Sequence, residues 1–284
     1  MGTLTSMAML VHLKIEMIGM KGKDPDATRG ANRHFNTTDE AGDYQKRKIL
    51  QTDLRDVVKF AGQARNMHMS FTMPFGNNGW RILPAKRILD YTNEMAVHKT
   101  NFESAVTDVV NDWPNIVNRA QGRLTGSLFN PGDYPRQDHV ASYFSFGFDM
   151  TPIPEKSHIV LDLEQEMIED LQEKLELQQK QGLEKAMADV WKRLYEPVKN
   201  MAKVLSEDKK IFTSLIVNIE EIVALLPIMN LAGDANMNML AGEIKQQLLG
   251  HTAGQIKEDD NLKALLAANA TNIMNKMSGY IQAN

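Results

Sequence analysis

The residue types that could carry acid–base or metal chemistry are dispersed along the 284-residue chain. Asp138 and His139 come closest to an acid–base pair, but adjacent side chains seldom aim at one point, and no nucleophile accompanies them. The seven histidines are scattered, with no two at i, i+4 spacing around a glutamate. The chain has no cysteine, which excludes thiolate nucleophiles, thiolate metal sites and disulfides. We therefore expect a protein that is not an enzyme and uses no cofactor or metal.

A run of carboxylates after residue 163 has enough oxygen ligands for a dinuclear metal site. It lacks the Glu-x-x-His pairing that carboxylate sites in four-helix bundles use, and Lys174 and Lys180 interleave with it. The pattern is typical of a solvated helix face. The carboxylates are Glu164, Glu166, Glu169, Asp170, Glu173 and Glu176.

Basic and aromatic residues of the first half form the strongest candidate site. Single-stranded nucleic acid is held by a cationic groove plus aromatic rings on which bases stack, each stack contributing about 1 to 3 kcal/mol. The alternative is that the aromatic residues are core residues and the basic ones only solubilise the surface. The predicted phosphate contacts are Lys46, Arg47, Lys48, Arg81, Lys86 and Arg87, and the predicted base-stacking residues are Phe75 and Trp80.

The elements that would position these residues in the first half are strands and helices. Apolar residues alternate with period two in 11–17, 67–73 and 144–150, which predicts three half-buried strands. Asn78 and Gly79 predict a tight turn, after which residues 80–83 return as a partner strand. Helical spacing covers 38–63, with Lys46 to Lys48 near its start, and 86–117. These patterns predict an α+β half with a small, mainly antiparallel sheet.

The second half predicts a helical bundle or a long helical hairpin. Apolar residues recur at steps of three and four in 183–205, and further helices are expected at 164–181, 211–226, 236–249 and 261–281. We expect Gly182 to separate the helix at 164–181 from the one at 183–205. We expect Pro227 to end the helix at 211–226. Residues 127–155, with their prolines and aromatics, are interpreted as a rigid connector in preference to a binding segment. The predicted domains are 1–155 and 156–284.

Charge and hydropathy narrow the class of protein. Residues 1–155 carry a net charge of +1 and residues 156–284 carry −5, so the first half is the better candidate to meet a polyanion. No apolar run approaches the roughly 18 residues that a membrane span needs, and no signal-peptide pattern is present. We expect a cytoplasmic protein with no membrane contact, located in the host cytoplasm if it is phage-encoded.

Several motifs together resemble a family of phage and bacterial proteins. They are MPFGNNGWRILP, DWPNIVNRA, LFNPGDYP followed by FSFGF and PIPE, and IFTSLIVNIEEIVALLPIMNLAGD. Genes of that family often lie near those of a MoxR-type AAA ATPase and a von Willebrand A-type protein. The resemblance covers most of the chain and implies a role in phage DNA metabolism or in an ATPase-linked assembly. It supplies no functional residue.

Two functions remain open from the sequence. The first is a non-enzymatic, single-stranded DNA-binding protein of phage type, not built on an OB-fold, acting in replication or recombination. In it the acidic helical half would mediate homo-oligomerisation or recruit a replication protein. The alternative is an interaction or adaptor protein that works with an AAA ATPase and makes no nucleic-acid contact. Oligonucleotide binding that weakens steeply with rising salt would favour the DNA-binding function, because the counterions displaced from the phosphates set the slope of log K against log salt concentration.

Overall fold

The chain combines a small sheet with long helices in this computed structural model, which describes residues 4–38, 40–76, 78–156, 164–207 and 210–281. The strands are β1 Ala8–Glu16, β2 Lys21–Lys23, β3 Gln45–Arg47, β4 Met73–Pro74, β5 Arg81–Pro84 and β6 Ser145–Pro152. The helices are α1 Leu4–Met7, α2 Pro25–His34, α3 Arg55–Phe71, α4 Ile88–Arg123, α5 Gln165–Ser206, α6 Ser214–Met229, α7 Ala235–Leu248, α8 Ala253–Glu258 and α9 Asp260–Ile281. The α+β class is confirmed. No helix among the described residues is both long and apolar enough to span a bilayer.

Four strands form the main sheet in the order β4-β5-β1-β6, and β2 pairs with β3 apart from it. Strand β5 is antiparallel to both neighbours, with Ile82 opposite Leu10 of β1 and Met73 of β4. Because paired residues share a face, these three side chains enter the same apolar core. The hairpin between β4 and β5 is the one predicted around Gly79, whose φ of 83° is a conformation that glycine adopts without strain.

The chain divides into two compact units, each assembled from separated segments. Unit 1 contains Met1–His12, Phe71–Ile88 and Met150–Asn284, and unit 2 contains Leu13–Ser70 and Leu89–Asp149. The expected division at residue 155 differs from this one, because the N-terminal segment and the hairpin share an apolar core with the later helices. Long-range packing, which composition along the chain does not reveal, sets the division.

The core of unit 1 is centred on α5, which packs against α6 and α9. Val190, Leu194, Val198 and Met201 are fully buried at steps of three and four residues. Trp191 stacks on Tyr280 of α9 with ring centroids 4.9 Å apart. The predicted helical bundle of the second half is therefore present.

The core of unit 2 lies between α3 and α4, with aromatic residues of 127–149 packed into it. The indole of Trp113 donates to the carbonyl of Pro135 over 2.9 Å, and Phe102 lies 5.5 Å from Phe146 between ring centroids. Phe144 is buried. These contacts agree with a connector whose aromatics have a packing role.

Two first-half predictions are wrong. Residues 67–71 end helix α3, and of the predicted second strand only Met73 lies in a strand, which continues to Pro74. Met67, Met69 and Phe71 alternate by chance, since Met69 is half exposed while Ala61, Ala64 and Met67 are buried at helical spacing. Residues 45–47 form β3, so Lys46 to Lys48 do not begin a helix.

Two interruptions expected in the second half are also absent. Helix α5 runs unbroken through Gly182, and α6 continues past Pro227 to Met229. Proline near a helix C-terminus removes a single backbone hydrogen bond, which the remaining packing tolerates here. Helix α8, a short segment with a capping box at Thr252, was not predicted.

Candidate nucleic-acid interface

A pocket of about 280 Å³ opens beside the β4–β5 hairpin of unit 1. We call it the hairpin pocket. Its volume is slightly below the range of about 300 to 1,000 Å³ that is typical of small-molecule sites, which suits a single ring system. It is lined by Leu10, Phe75, Asn78, Trp80, Thr151, Pro154, Leu175, Gln178 and Gln179.

Trp80 is the aromatic residue of the hairpin that keeps an accessible surface. Its ring is half-buried and lies 5.4 Å from the ring of His12 between centroids, at 35°. Gly79 leaves room for the His12 ring against the turn, because a Cβ there would lie 2.9 Å from His12 Nε2. The indole N–H has no hydrogen-bond partner among the described residues, so it can donate to a ligand.

Phe75, the other predicted stacking residue, is 5% exposed and belongs to the core of unit 1. Its ring packs against α5 at Gly182. Phe75 lines the pocket with a side chain that is almost wholly buried, so the prediction that a base stacks on it is corrected, and Trp80 is the accessible aromatic residue of the lining.

Three amide side chains give the pocket its polarity. Asn78 and Gln178 are exposed, and Gln179 is half-buried, with its amide nitrogen donating to the carbonyl of Pro154. That bond fixes the side chain and leaves its amide oxygen as an acceptor. No charged side chain is among the lining residues that the structure describes. The pocket therefore favours an uncharged planar group with both donors and acceptors.

Arg81, which follows Trp80, is half-buried. Its Nε donates to Thr72 Oγ1 over 2.6 Å and its Nη2 donates to the Thr72 carbonyl over 3.0 Å. Arg193 of α5 donates to the same carbonyl over 2.7 Å and pairs with Asp189, also at 2.7 Å. Burial lowers the pKa of Arg81; Asp189 opposes this effect and Arg193 adds to it.

The other basic residues of unit 1 differ in accessibility. Lys86 is exposed. The guanidinium of Arg87 lies 3.5 Å above the ring of Phe71, a cation–π contact that orients it without removing its charge. Lys185 of α5 is exposed, and its ammonium donates to the carbonyl of Gly76 over 2.6 Å. Cations thus flank both ends of the hairpin's second strand.

Lys46 is not available to phosphate, which corrects that prediction. Its side chain is 4% exposed, with the ammonium 3.0 Å from Asp24 Oδ2, 2.8 Å from Asp133 Oδ2 and 2.9 Å from the carbonyl of Leu128. Burial alone would lower the pKa of Lys46, but the hydrogen bonds to Asp133 and Asp24 raise it. Two carboxylates therefore surround the one ammonium inside unit 2.

Arg47 is exposed and Lys48 is half-buried, with its methylenes over Gly22. Both carbonyls accept hydrogen bonds from Arg123, so this segment is held by its backbone. These residues belong to unit 2, whereas the hairpin belongs to unit 1. The structure thus distributes the predicted basic residues over two units.

Sequence reasoning missed the contribution of α5, which supplies Gln178, Gln179, Lys185 and Arg193 to the hairpin region. One usable signal was present: Gly182 interrupts a strong helical pattern, and glycine inside a helix often marks a close approach. No family model, curated protein or solved structure matches this chain.

Proposed function

We propose that the protein is a non-enzymatic, single-stranded DNA-binding protein that takes an unpaired base into the hairpin pocket. The observation that carries the proposal is the presence of a half-buried tryptophan beside amide side chains in a small pocket whose described lining is uncharged. Phage-type DNA replication or recombination is the setting that the sequence resemblance implies.

The pocket's chemistry favours a base over other ligands. A nucleobase is planar and uncharged, it stacks on aromatic rings, and its edge carries donors and acceptors that amides can meet. Asn78, Gln178 and the indole N–H of Trp80 supply both kinds of partner. Because every base has a flat face, stacking on Trp80 would tolerate different sequences.

Cations outside the pocket supply the contacts for the backbone of the strand. Lys86 and Lys185 are exposed, and Arg87 is oriented by Phe71. A net charge of −4 for the whole chain does not oppose this, since local potential governs association with a polyanion. We expect moderate affinity with a steep salt dependence.

Fluorescence anisotropy of a labelled oligo-dT, titrated at low and at physiological salt, tests the proposal. Gln178→Glu places a carboxylate in the pocket and is expected to weaken binding at least tenfold. Gln181→Glu adds the same charge at an exposed α5 position outside the pocket lining and serves as the matched control. Trp80→Ala is expected to cost about 1 to 3 kcal/mol of binding free energy.

Equal effects of the two glutamate variants would mean that the pocket takes no base. If wild-type protein fails to bind oligo-dT at low salt, the proposed function is wrong.

A groove of about 630 Å³ favours a second candidate, an adaptor that docks an AAA ATPase without nucleic acid. The groove lies between α6 and α7, with Val223, Ala224, Ala241 and Leu249 among its lining. Its small side chains would let a partner helix approach closely. Ala224→Glu should abolish binding of a purified MoxR-type ATPase, while Asn218→Glu, an exposed α6 change outside the groove, should not.

A further inference from the structure

Two guanidinium groups of unit 1 converge on one backbone oxygen. The Nη2 atoms of Arg81 and Arg193 lie 3.0 Å and 2.7 Å from the carbonyl oxygen of Thr72. They are therefore no more than about 6 Å apart, a separation that one tetrahedral oxyanion can bridge with two oxygens. Thr72 is fully buried, which fixes the point on which the two arginines converge.

The arginines come from elements far apart in sequence. Arg81 begins β5, and Arg193 lies more than seven turns into α5. Nε and Nη2 of Arg81 donate hydrogen bonds to Thr72, and its guanidinium makes no other hydrogen bond within the described residues. Because the group has five N–H donors in a planar fork, donors remain for an incoming acceptor.

The local charge is positive. Asp189 pairs with Arg193 and also acts favourably on Arg81, whereas the two arginines repel each other. The side chains of Arg193 and Asp189 are 22% and 27% exposed, so a ligand can reach Arg193 from the solvent. Burial disfavours the charged form of Arg81 more than Asp189 favours it, and an anion beside both guanidiniums would offset that cost.

We propose that Arg81 and Arg193 together bind one phosphate group. The inference rests on the proposed function for its source, which is a backbone phosphate of the single strand. Arg81 directly follows Trp80 in sequence, but Arg193 lies 14 residues beyond Gln179 on α5, about 21 Å along the helix, so this phosphate belongs to the strand beyond the nucleotide whose base enters the pocket. Arginine suits the role because its fork matches two phosphate oxygens, which the point charge of lysine does not.

The first arm of the test uses inorganic phosphate. Thermal unfolding is followed in phosphate and in chloride at equal ionic strength and pH. We expect phosphate to raise the wild-type midpoint, Arg193→Gln to lose this difference, and Arg193→Lys to keep part of it. Lys192→Gln removes one charge from the neighbouring, exposed α5 position and should keep all of it, which controls for the general stabilising effect of phosphate.

A purely structural arginine pair gives another result: Arg193→Gln would lower the midpoint equally in both salts, and the phosphate-specific difference would survive. That outcome overturns the proposal. If Arg193→Gln does not fold, Arg193→Lys and Arg81→Lys are compared instead, because both retain the positive charge and lose the guanidinium fork. A phosphate-specific difference in midpoint as large as in the wild type would then overturn the proposal.

The second arm uses the labelled oligo-dT and identifies the source of the phosphate. For a single strand, the loss of one phosphate contact lowers the slope of log K against log salt by about 0.7. We expect this change in Arg193→Gln and not in Lys192→Gln. Binding with an unchanged slope in Arg193→Gln overturns the arginine site and leaves the proposed function standing. Phosphate-specific stabilisation without oligo-dT binding supports the site and overturns the proposed function.

Discussion

Gly182 of α5 leaves the space that the ring of Phe75 occupies. A Cβ on residue 182 would lie 2.1 Å from Cε2 and 2.3 Å from Cδ2 of Phe75. Both residues are buried. The missing side chain therefore lets Phe75, which also lines the hairpin pocket, pack directly on the backbone of α5.

Gly182→Ala is expected to destabilise the protein by about 1 to 3 kcal/mol, because the added methyl group overpacks the core against a rigid ring. Helix propensity alone predicts the opposite sign, a gain of roughly 0.5 to 1 kcal/mol. The measurement is the midpoint of urea unfolding at constant slope. Gly122→Ala on α4 is the matched control, since a Cβ there meets nothing within 4 Å, and it should be neutral or stabilising. Phe75→Leu should restore part of the loss in the double variant, and no restoration would contradict the contact.

Lys46→Met is expected to destabilise unit 2 by about 3 kcal/mol, because it leaves the carboxylates of Asp24 and Asp133 without their buried counter-ion. Lys23→Met breaks an ion pair with Asp43 in which both side chains are more than half exposed, and it should cost less than about 1 kcal/mol. Chemical unfolding of both variants measures the contrast. Equal small costs would show that the Lys46 network contributes no more than a surface pair.

Acid should weaken the contribution of Asp24 to stability. The Ala27 backbone N–H and the Lys46 ammonium hold the pKa of Asp24 below its ordinary value of 3.8. A carboxyl with a depressed folded pKa stabilises the fold above its unfolded pKa and loses this effect as pH falls through the folded pKa. Asparagine caps a helix as well as aspartate does, so Asp24→Asn keeps the cap of α2 and isolates the charge. The stability difference between wild type and Asp24→Asn should shrink as pH falls below about 3.8, and a constant difference would count against this assignment.

Thr252→Ala is expected to cost about 1 kcal/mol, because Thr252 Oγ1 accepts from the Gln255 N–H and the Gln255 side chain accepts from the Thr252 N–H. Thr213 precedes α6 without a side-chain capping bond, so Thr213→Ala should change the free energy of unfolding by less than about 0.5 kcal/mol. Thermal unfolding compares the two. A similar cost at both positions would argue that the capping box adds nothing.

The helices of the second half could be predicted because each buries one apolar stripe, as Leu194, Val198 and Met201 show. The end of α3 could not be predicted. Met67, Met69 and Phe71 fit the period of a strand, and the window is too short to distinguish a strand from a helix. The hairpin of β4 and β5 could be predicted from Asn78 and Gly79, because the preference of this dipeptide for a tight turn does not depend on distant residues.

The candidate site could be predicted only where local chemistry determines it. Trp80 lines the hairpin pocket, but the burial of Phe75 depends on a glycine in a distant helix, and the burial of Lys46 depends on Asp24 and Asp133. Long-range partners of this kind leave no periodicity in the sequence. The same limit explains why Arg193 was missed.

The segmented composition of unit 1 has a consequence for synthesis on the ribosome. Residues 1–12 and the hairpin belong with Met150–Asn284, so their partners do not exist until more than half of the chain is made. At roughly 5 to 20 residues per second, the delay is on the order of ten seconds. During that time Leu10, Met73 and Ile82, all buried in the finished core, have no native apolar partners on α5. Nascent chains stalled before residue 165 should therefore be the form of this protein that recruits chaperones.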